Sequence, residues 1–148
     1  MGVLFFQQKK TDDAISAWSR AQTIKNDPLV LMYLGVAYLQ KNDLSKAETY
    51  LLNSTKANDQ NHLAHFNLGI VFQKQNKLAE AERSFVRCVG LSPEYFPAYY
   101  NLGIVERSLG RKTEAVRALK IYLKMIPPHL TTQIADARAI LSELGVTE

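Results

Sequence analysis

The chain has 148 residues, 47% of them hydrophobic and 22% charged. It is long enough to bury one core and too short for two ordinary domains. A net charge of +4 with no dense basic run argues against nucleic acid as a partner, and no apolar stretch approaches the roughly 18 residues that span a bilayer. The opening Met1-Gly2-Val3-Leu4-Phe5-Phe6 lacks the basic lead and long apolar run of a signal peptide, and position 6 lacks the Ser or Thr of a myristoylation pattern. A single cysteine, Cys88, excludes an internal disulfide and suits a reducing compartment, so the expected location is cytoplasmic.

Helical periodicity runs through the chain and strand alternation is absent. Helix pairs are expected over 1–8 with 11–25, 28–40 with 44–57, 62–74 with 78–91, and 95–108 with 112–125. The turns inside the later pairs are Lys41-Asn42-Asp43, Gln75-Asn76-Lys77 and Leu109-Gly110-Arg111, each with a residue that tolerates a left-handed backbone. Pro28, Pro97 and Pro127-Pro128 punctuate the junctions between pairs. A last helix over 131–144 carries Ile134, Ala137, Leu141 and Leu144 on one stripe and Asp136, Arg138 and Glu143 on the other side. It is expected to close the array.

Three Leu-Gly pairs, Leu34-Gly35, Leu68-Gly69 and Leu102-Gly103, recur every 34 residues. The frame extends from Gly35 to Tyr38, Ala47 and Leu51, from Gly69 to Phe72, Ala81 and Phe85, and from Gly103 to Ala115 and Leu119, with Asp59, Pro93 and Pro127 at the closing positions. Gly2, Phe5, Ala14, Trp18 and Ala21 fit the same frame after a junction one residue shorter. Small residues at a helix crossing let two backbones approach, and the large ones beside them fill the space around the crossing. In the third block Glu106 stands where Tyr38 and Phe72 stand, and Tyr122 where Ser54 and Cys88 stand, so that block is atypical.

This frame resembles the tetratricopeptide repeat over nearly the whole chain. The resemblance implies an all-α fold, a right-handed solenoid of antiparallel helix pairs. It forms one domain, 1–148, with three full repeats at 28–61, 62–95 and 96–129, a truncated N-terminal repeat at 1–27 and a capping helix at 130–148. Gly2 falls at the eighth position of its frame, so the first helix is expected to lack its leading residues. Its partner, bearing Trp18, is expected to be a partly uncovered end suited to self-association.

In this family the first helix of each pair lines a concave surface that binds peptides or helices of a partner protein. Carried onto this chain by repeat position, the implied partner-binding residues are Met32, Val36, Phe66, Asn67, Ile70, Gln73, Lys74, Tyr100, Asn101, Ile104 and Arg107. That face is apolar enough for an amphipathic helix or an extended segment with apolar anchors. Its sixth positions read Tyr33, Asn67 and Asn101, and an amide there can both donate to and accept from a bound backbone. The family's clamp for acidic chaperone tails needs Lys and Asn, then Lys and Arg, where this chain has Met32, Val36, Pro97 and Asn101. That mode is not expected.

Signals for catalysis or a metal are weak, and no cofactor or enzymatic activity is expected. His62 and His65 are three apart on one helix, but His65 takes the packing position of Leu31 and Tyr99. Cys88 takes a small-residue slot, which suits a buried thiol better than a nucleophile. The segment from Gly103 to Gly110 followed by Arg111-Lys112 lacks the spacing, the following Ser or Thr, and the strand of a phosphate loop. The third repeat holds six Lys and Arg against two acids. Arg117, Lys120 and Lys124 share one face of its second helix and form a candidate patch for an acidic partner or peripheral membrane contact. The leading expectation is a non-catalytic protein-interaction scaffold. The alternatives are an assembly or tethering subunit that works through its N-terminal end and basic outer face, or the docking part of a larger enzyme.

Overall fold

The computed structural model describes residues 2–24 and 26–147. It contains α1 (Gly2–Ile24), α2 (Pro28–Gln40), α3 (Leu44–Ala57), α4 (His62–Lys74), α5 (Leu78–Leu91), α6 (Phe96–Ser108), α7 (Lys112–Met125) and α8 (Thr131–Glu143), with no strand among the described residues. Each helix packs on the next in sequence, most extensively within the pairs α2/α3, α4/α5 and α6/α7. The result is a solenoid whose extensive contacts among the described residues join neighbouring helices and adjacent repeats.

Local chemistry sets the helix ends. Asp27 accepts a hydrogen bond from the Leu29 amide at 2.8 Å, Asp43 from Lys46 at 3.2 Å, and Asn61 from Leu63 and Ala64 at 3.0 and 3.3 Å. These side chains satisfy amides that a helix start leaves without partners. At the other end, Asn42 (φ 60°), Asn76 (φ 59°) and Gly110 (φ 76°) adopt the left-handed backbone that reverses the chain between the two helices of a pair. The amide after each one donates back five residues at 2.9 Å, from Asp43 to Tyr38, from Lys77 to Phe72 and from Arg111 to Glu106.

The glycine of each Leu-Gly pair seats a large residue of the second helix. A methyl group on Gly35 would lie 2.5 Å from Leu51, one on Gly69 would lie 2.7 Å from the Phe85 ring, and one on Gly103 would lie 2.7 Å from Leu119. Leu51, Phe85 and Leu119 are completely buried, as are Ala47, Ala81 and Ala115 beside them. The close approach is therefore glycine to large side chain, and the alanines complete the seat.

Two expectations need correction. The N-terminal segment is one continuous helix, α1, where a turn is expected near 9–10. Its middle, Gln8 to Thr11, holds neither Asn nor Gly, and without such a residue the left-handed turn of the other pairs has no cheap site. The second half of α1 packs on α2 as the second helix of a repeat, with Trp18 stacked on Tyr33 at 5.3 Å and Lys41 Nζ 2.5 Å from Asp12. The packing expected of Phe5 lies outside the residues whose side chains the structure describes.

The second correction concerns α8. It has 13 residues, as do α2, α4 and α6. It also ends in the same turn, with Gly145 at φ 77° and Val146 donating to Leu141 at 2.9 Å. It thus has the length and terminal turn of a first helix, shifted one residue from the 34-residue count by the Pro127-Pro128 junction, but it packs less extensively on α7 than α4 and α6 do on the helices before them. In that shifted frame Arg138, exposed, occupies the glycine seat. A long charged side chain thus stands where the other repeats have the glycine that seats a large residue of the second helix.

Ion pairs cross the repeat junctions. Lys77 Nζ lies 3.0 Å from Glu48, Arg111 lies 2.5 Å from Glu82, and Arg87 pairs with Asp59. Glu106 takes the place of the aromatic Phe72, is only 5% exposed and lies 3.5 Å from Arg111. Burial pushes its carboxyl above the usual range, Glu82 adds to the rise and Arg111 offsets part of it.

Replacing Gly69 by Ala should overpack the Phe85 seat and lower stability by about 1–3 kcal/mol in denaturant unfolding; an unchanged midpoint would contradict the seat. Because Glu106 is harder to ionise when folded than when unfolded, the native state loses stability as pH rises through the ordinary Glu range and up to the raised folded value. Glu106→Gln should therefore match the parent in acid and gain on it as pH rises. A difference in Tm that does not change with pH would refute the buried carboxyl as its source.

Candidate protein-binding groove

The first helices α2, α4, α6 and α8 lie side by side along one side of the array. Contacts join α2 to α4 and α4 to α6, and Arg107 of α6 donates to Glu143 of α8 at 2.9 Å. With α8 in its shifted frame, the sixth-position row reads Tyr33, Asn67, Asn101 and Asp136.

The sequence-predicted residues fall into distinct environments on this row. Met32 is only 5% exposed and receives the Asn61 amide at its sulfur at 3.4 Å. It belongs to the core and not to the open surface. Val36 lines a cleft of about 200 Å³ between α1 and α2 with Trp18 and Gln40. Phe66 and Ile70 are half-buried on the core of the first two repeats, and the Phe66 ring meets Tyr95 at 5.0 Å and Phe85 at 5.8 Å. Gln73 is half-buried and Lys74 exposed at the end of α4. Tyr100 and Ile104 pack on a second cluster, built from α7 and α8. Arg107 is held by Glu143, so α8 takes up part of the expected rim. Leu29 and Tyr33 remain 50% and 45% exposed on α2, and they extend the apolar face toward α1.

Asn67 donates to the Leu63 carbonyl of its own helix at 2.8 Å, and Asn101 to that of Pro97 at 3.1 Å. Each bond orients the amide while leaving its oxygen available to an incoming N–H. The lining residues missed from the sequence lie at and just before α8, where Leu130, Gln133 and Asp136 join Phe96, Pro97, Tyr100, Asn101 and Tyr122 around a cleft of about 340 Å³. The doubled proline at 127–128 was the signal that α8 is out of register with the simple 34-residue count.

The residues considered for other chemistry are dispersed. His62 packs its ring on Tyr95 at 5.2 Å, whereas His65 Nε2 meets Asp59 at 3.0 Å. Among the described residues no group of three or more His, Cys, Asp or Glu is placed to hold a metal ion. Burial pushes the Cys88 thiol up to about 12, leaving it protonated and unreactive at neutral pH. Among the described residues, no helix is long and apolar enough to cross a membrane.

The tetratricopeptide repeat pattern matches residues 1–62 and 66–129. The chain belongs to the tetratricopeptide repeat family. No curated protein matches its sequence. Among solved structures it is similar to MamA, with 23% identity and a TM-score of 0.77 over 86% of this chain and 75% of that one. It is also similar to the first repeat domain of Spaghetti (RPAP3) bound to an HSP90 peptide, with 22% identity and a TM-score of 0.70 over 79% and 94%. The Yersinia enterocolitica chaperone SycD in complex with a peptide of the translocator YopD has 14% identity and a TM-score of 0.74 over 78% and 89%. At these identities the likeness is one of fold.

If the Asn67 amide serves a ligand and not the fold, Asn67→Ala should leave the array at least as stable. Alanine is the better helix former by about 0.5 kcal/mol, and the bond it removes closes only on the same helix. A thermal melt lowered by several degrees would assign Asn67 a structural role.

Proposed function

We propose that the chain is a non-catalytic interaction module whose row of first helices holds a segment of a partner protein, with Phe66, Ile70, Tyr100 and Ile104 as the apolar floor and Asn67 and Asn101 as backbone contacts. The observation that carries this reading is the partly uncovered apolar face: Leu29 and Tyr33 are about half exposed, and Ile70 and Phe66 are only half-buried against the core. An apolar strip of this kind, interleaved with oriented amides, accepts an amphipathic helix or an extended segment. Two structures of similar fold support the mode, one bound to an HSP90 peptide and one to a YopD peptide. A third is described as having an unusual peptide-binding site.

The occupant differs in chemistry from an acidic chaperone tail. Met32, Pro97 and Asn101 offer no charge where that clamp needs cations, and Val36 stands where it needs an amide. Apolar anchors therefore supply the affinity, and the oriented amides set the register of the bound segment.

Peptides selected from a display library on this protein provide a direct test. Ile70→Lys should weaken their binding about tenfold or more in calorimetry, with the helical circular dichroism signal unchanged. Full affinity at unchanged helicity would refute the groove. A second reading rests on Arg117, Lys120 and Lys124, all exposed on α7 and in no ion pair among the described residues. If this outer face recruits an acidic partner, Arg117→Glu with Lys120→Glu should abolish capture while Ile70→Lys leaves it intact.

A further inference from the structure

The cleft between α6 and α8 has a chemistry that the rest of the row lacks. Its walls are three aromatic rings, with Tyr122 between Phe96 at 5.9 Å and Tyr100 at 5.2 Å, and tilted 46° and 49° to them. The rings thus form an open angle and not a flat stack. Tyr122 itself is only 4% exposed. It is able to reach here because a large ring replaces the small Ser54 and Cys88 of the earlier repeats. On the α8 side the cleft is bounded by Leu130, Gln133 and Asp136.

Asp136 is exposed and makes no hydrogen bond or ion pair among the described residues. The cations near it are committed elsewhere. Arg107 is held by Glu143 two helical turns away along α8, and Arg138 has interactions of its own on another face of the helix. Burial raises the Tyr122 hydroxyl, and Tyr100 and Asp136 raise it further, so it stays neutral. The carboxylate at the mouth is therefore the one charge that the cleft presents to a ligand. Ring faces attract a cation through their quadrupole and also pack on the methylene stem that carries it. A neutral apolar side chain would fit the rings and leave the carboxylate unused, and an acidic one would be repelled.

We propose that the cleft bounded by Phe96, Tyr100, Tyr122 and Asp136 is a subsite for a cationic side chain, a lysine or arginine of the segment bound along the first-helix row. The inference rests on that groove reading for the source of the ligand, and it names the specificity that the groove would have. Asp136 occupies the sixth position of α8, in line with Asn67 and Asn101, so a segment that follows the amides reaches the carboxylate at the end of the row. The partner sequence would then combine apolar anchors over α4 and α6 with a basic residue at the α8 end.

The test uses single amino-acid probes, so it does not depend on finding the partner. N-acetyl-lysine amide, N-acetyl-arginine amide and N-acetyl-norleucine amide are titrated into the isotope-labelled protein and followed by amide NMR at Tyr100, Tyr122, Gln133 and Asp136. Either cationic probe should bind about fivefold or more tightly than norleucine. Asp136→Asn should reduce that preference while norleucine binding stays the same. Equal binding of all three, a preference undiminished by Asp136→Asn, or no response at these amides would overturn the subsite. None of these results would touch the peptide affinity measured with Ile70→Lys, which reports on the groove itself.

Discussion

Everything in this molecule hangs on a close approach that only glycine permits. Gly35, Gly69 and Gly103 leave room for Leu51, Phe85 and Leu119 to reach within van der Waals contact of the first-helix backbone, and each of those side chains is completely buried. Because the seat recurs every 34 residues, each pair presents its first helix to the same side as the last. That regularity turns separate hairpins into a continuous row. The seat changes only at α8, where Arg138 stands in place of glycine while the turn at Gly145 is kept.

The junctions add a second layer, in which one chemical plan is met by different residues. A cation at the start of one second helix reaches the acid on the second helix before it, Lys77 to Glu48 and then Arg111 to Glu82. Beneath the first cation lies the Phe72 ring, with Lys77 Nζ 5.6 Å from its centre. Beneath the second lies the carboxyl of Glu106. The substitution trades an aromatic contact for a buried acid whose ionisation is opposed by its surroundings, so this acid costs the last full repeat stability as pH rises.

Much of this was legible in the sequence because glycine seats and left-handed turns are strict requirements. From α2 to α7 the expected helices agree with the observed ones to within a residue. The failures come where the repeat frame was extended past the residues that enforce it. At the N-terminus the frame alone suggested a turn, but Gln8 to Thr11 contain nothing that turns, so α1 runs straight through. At the C-terminus a doubled proline moved α8 by one residue, which hid both the arginine in the glycine seat and the alignment of Asp136 with the asparagines. Burial was hardest to read: Met32 and Val36 sit one turn apart on α2, yet the first points into the core and the second borders an open cleft. The difference depends on how α1 and Asn61 pack around them, which a periodic pattern does not encode.

The central claim is that the first-helix face carries the function and the second-helix face does not. Hydrogen–deuterium exchange of the array alone and with a saturating library-selected peptide separates the two faces in one measurement. The account predicts new protection along α4, α6 and α8 with α5 and α7 unchanged. Protection confined to the outer faces of α5 and α7, with the first helices exchanging as before, would contradict it.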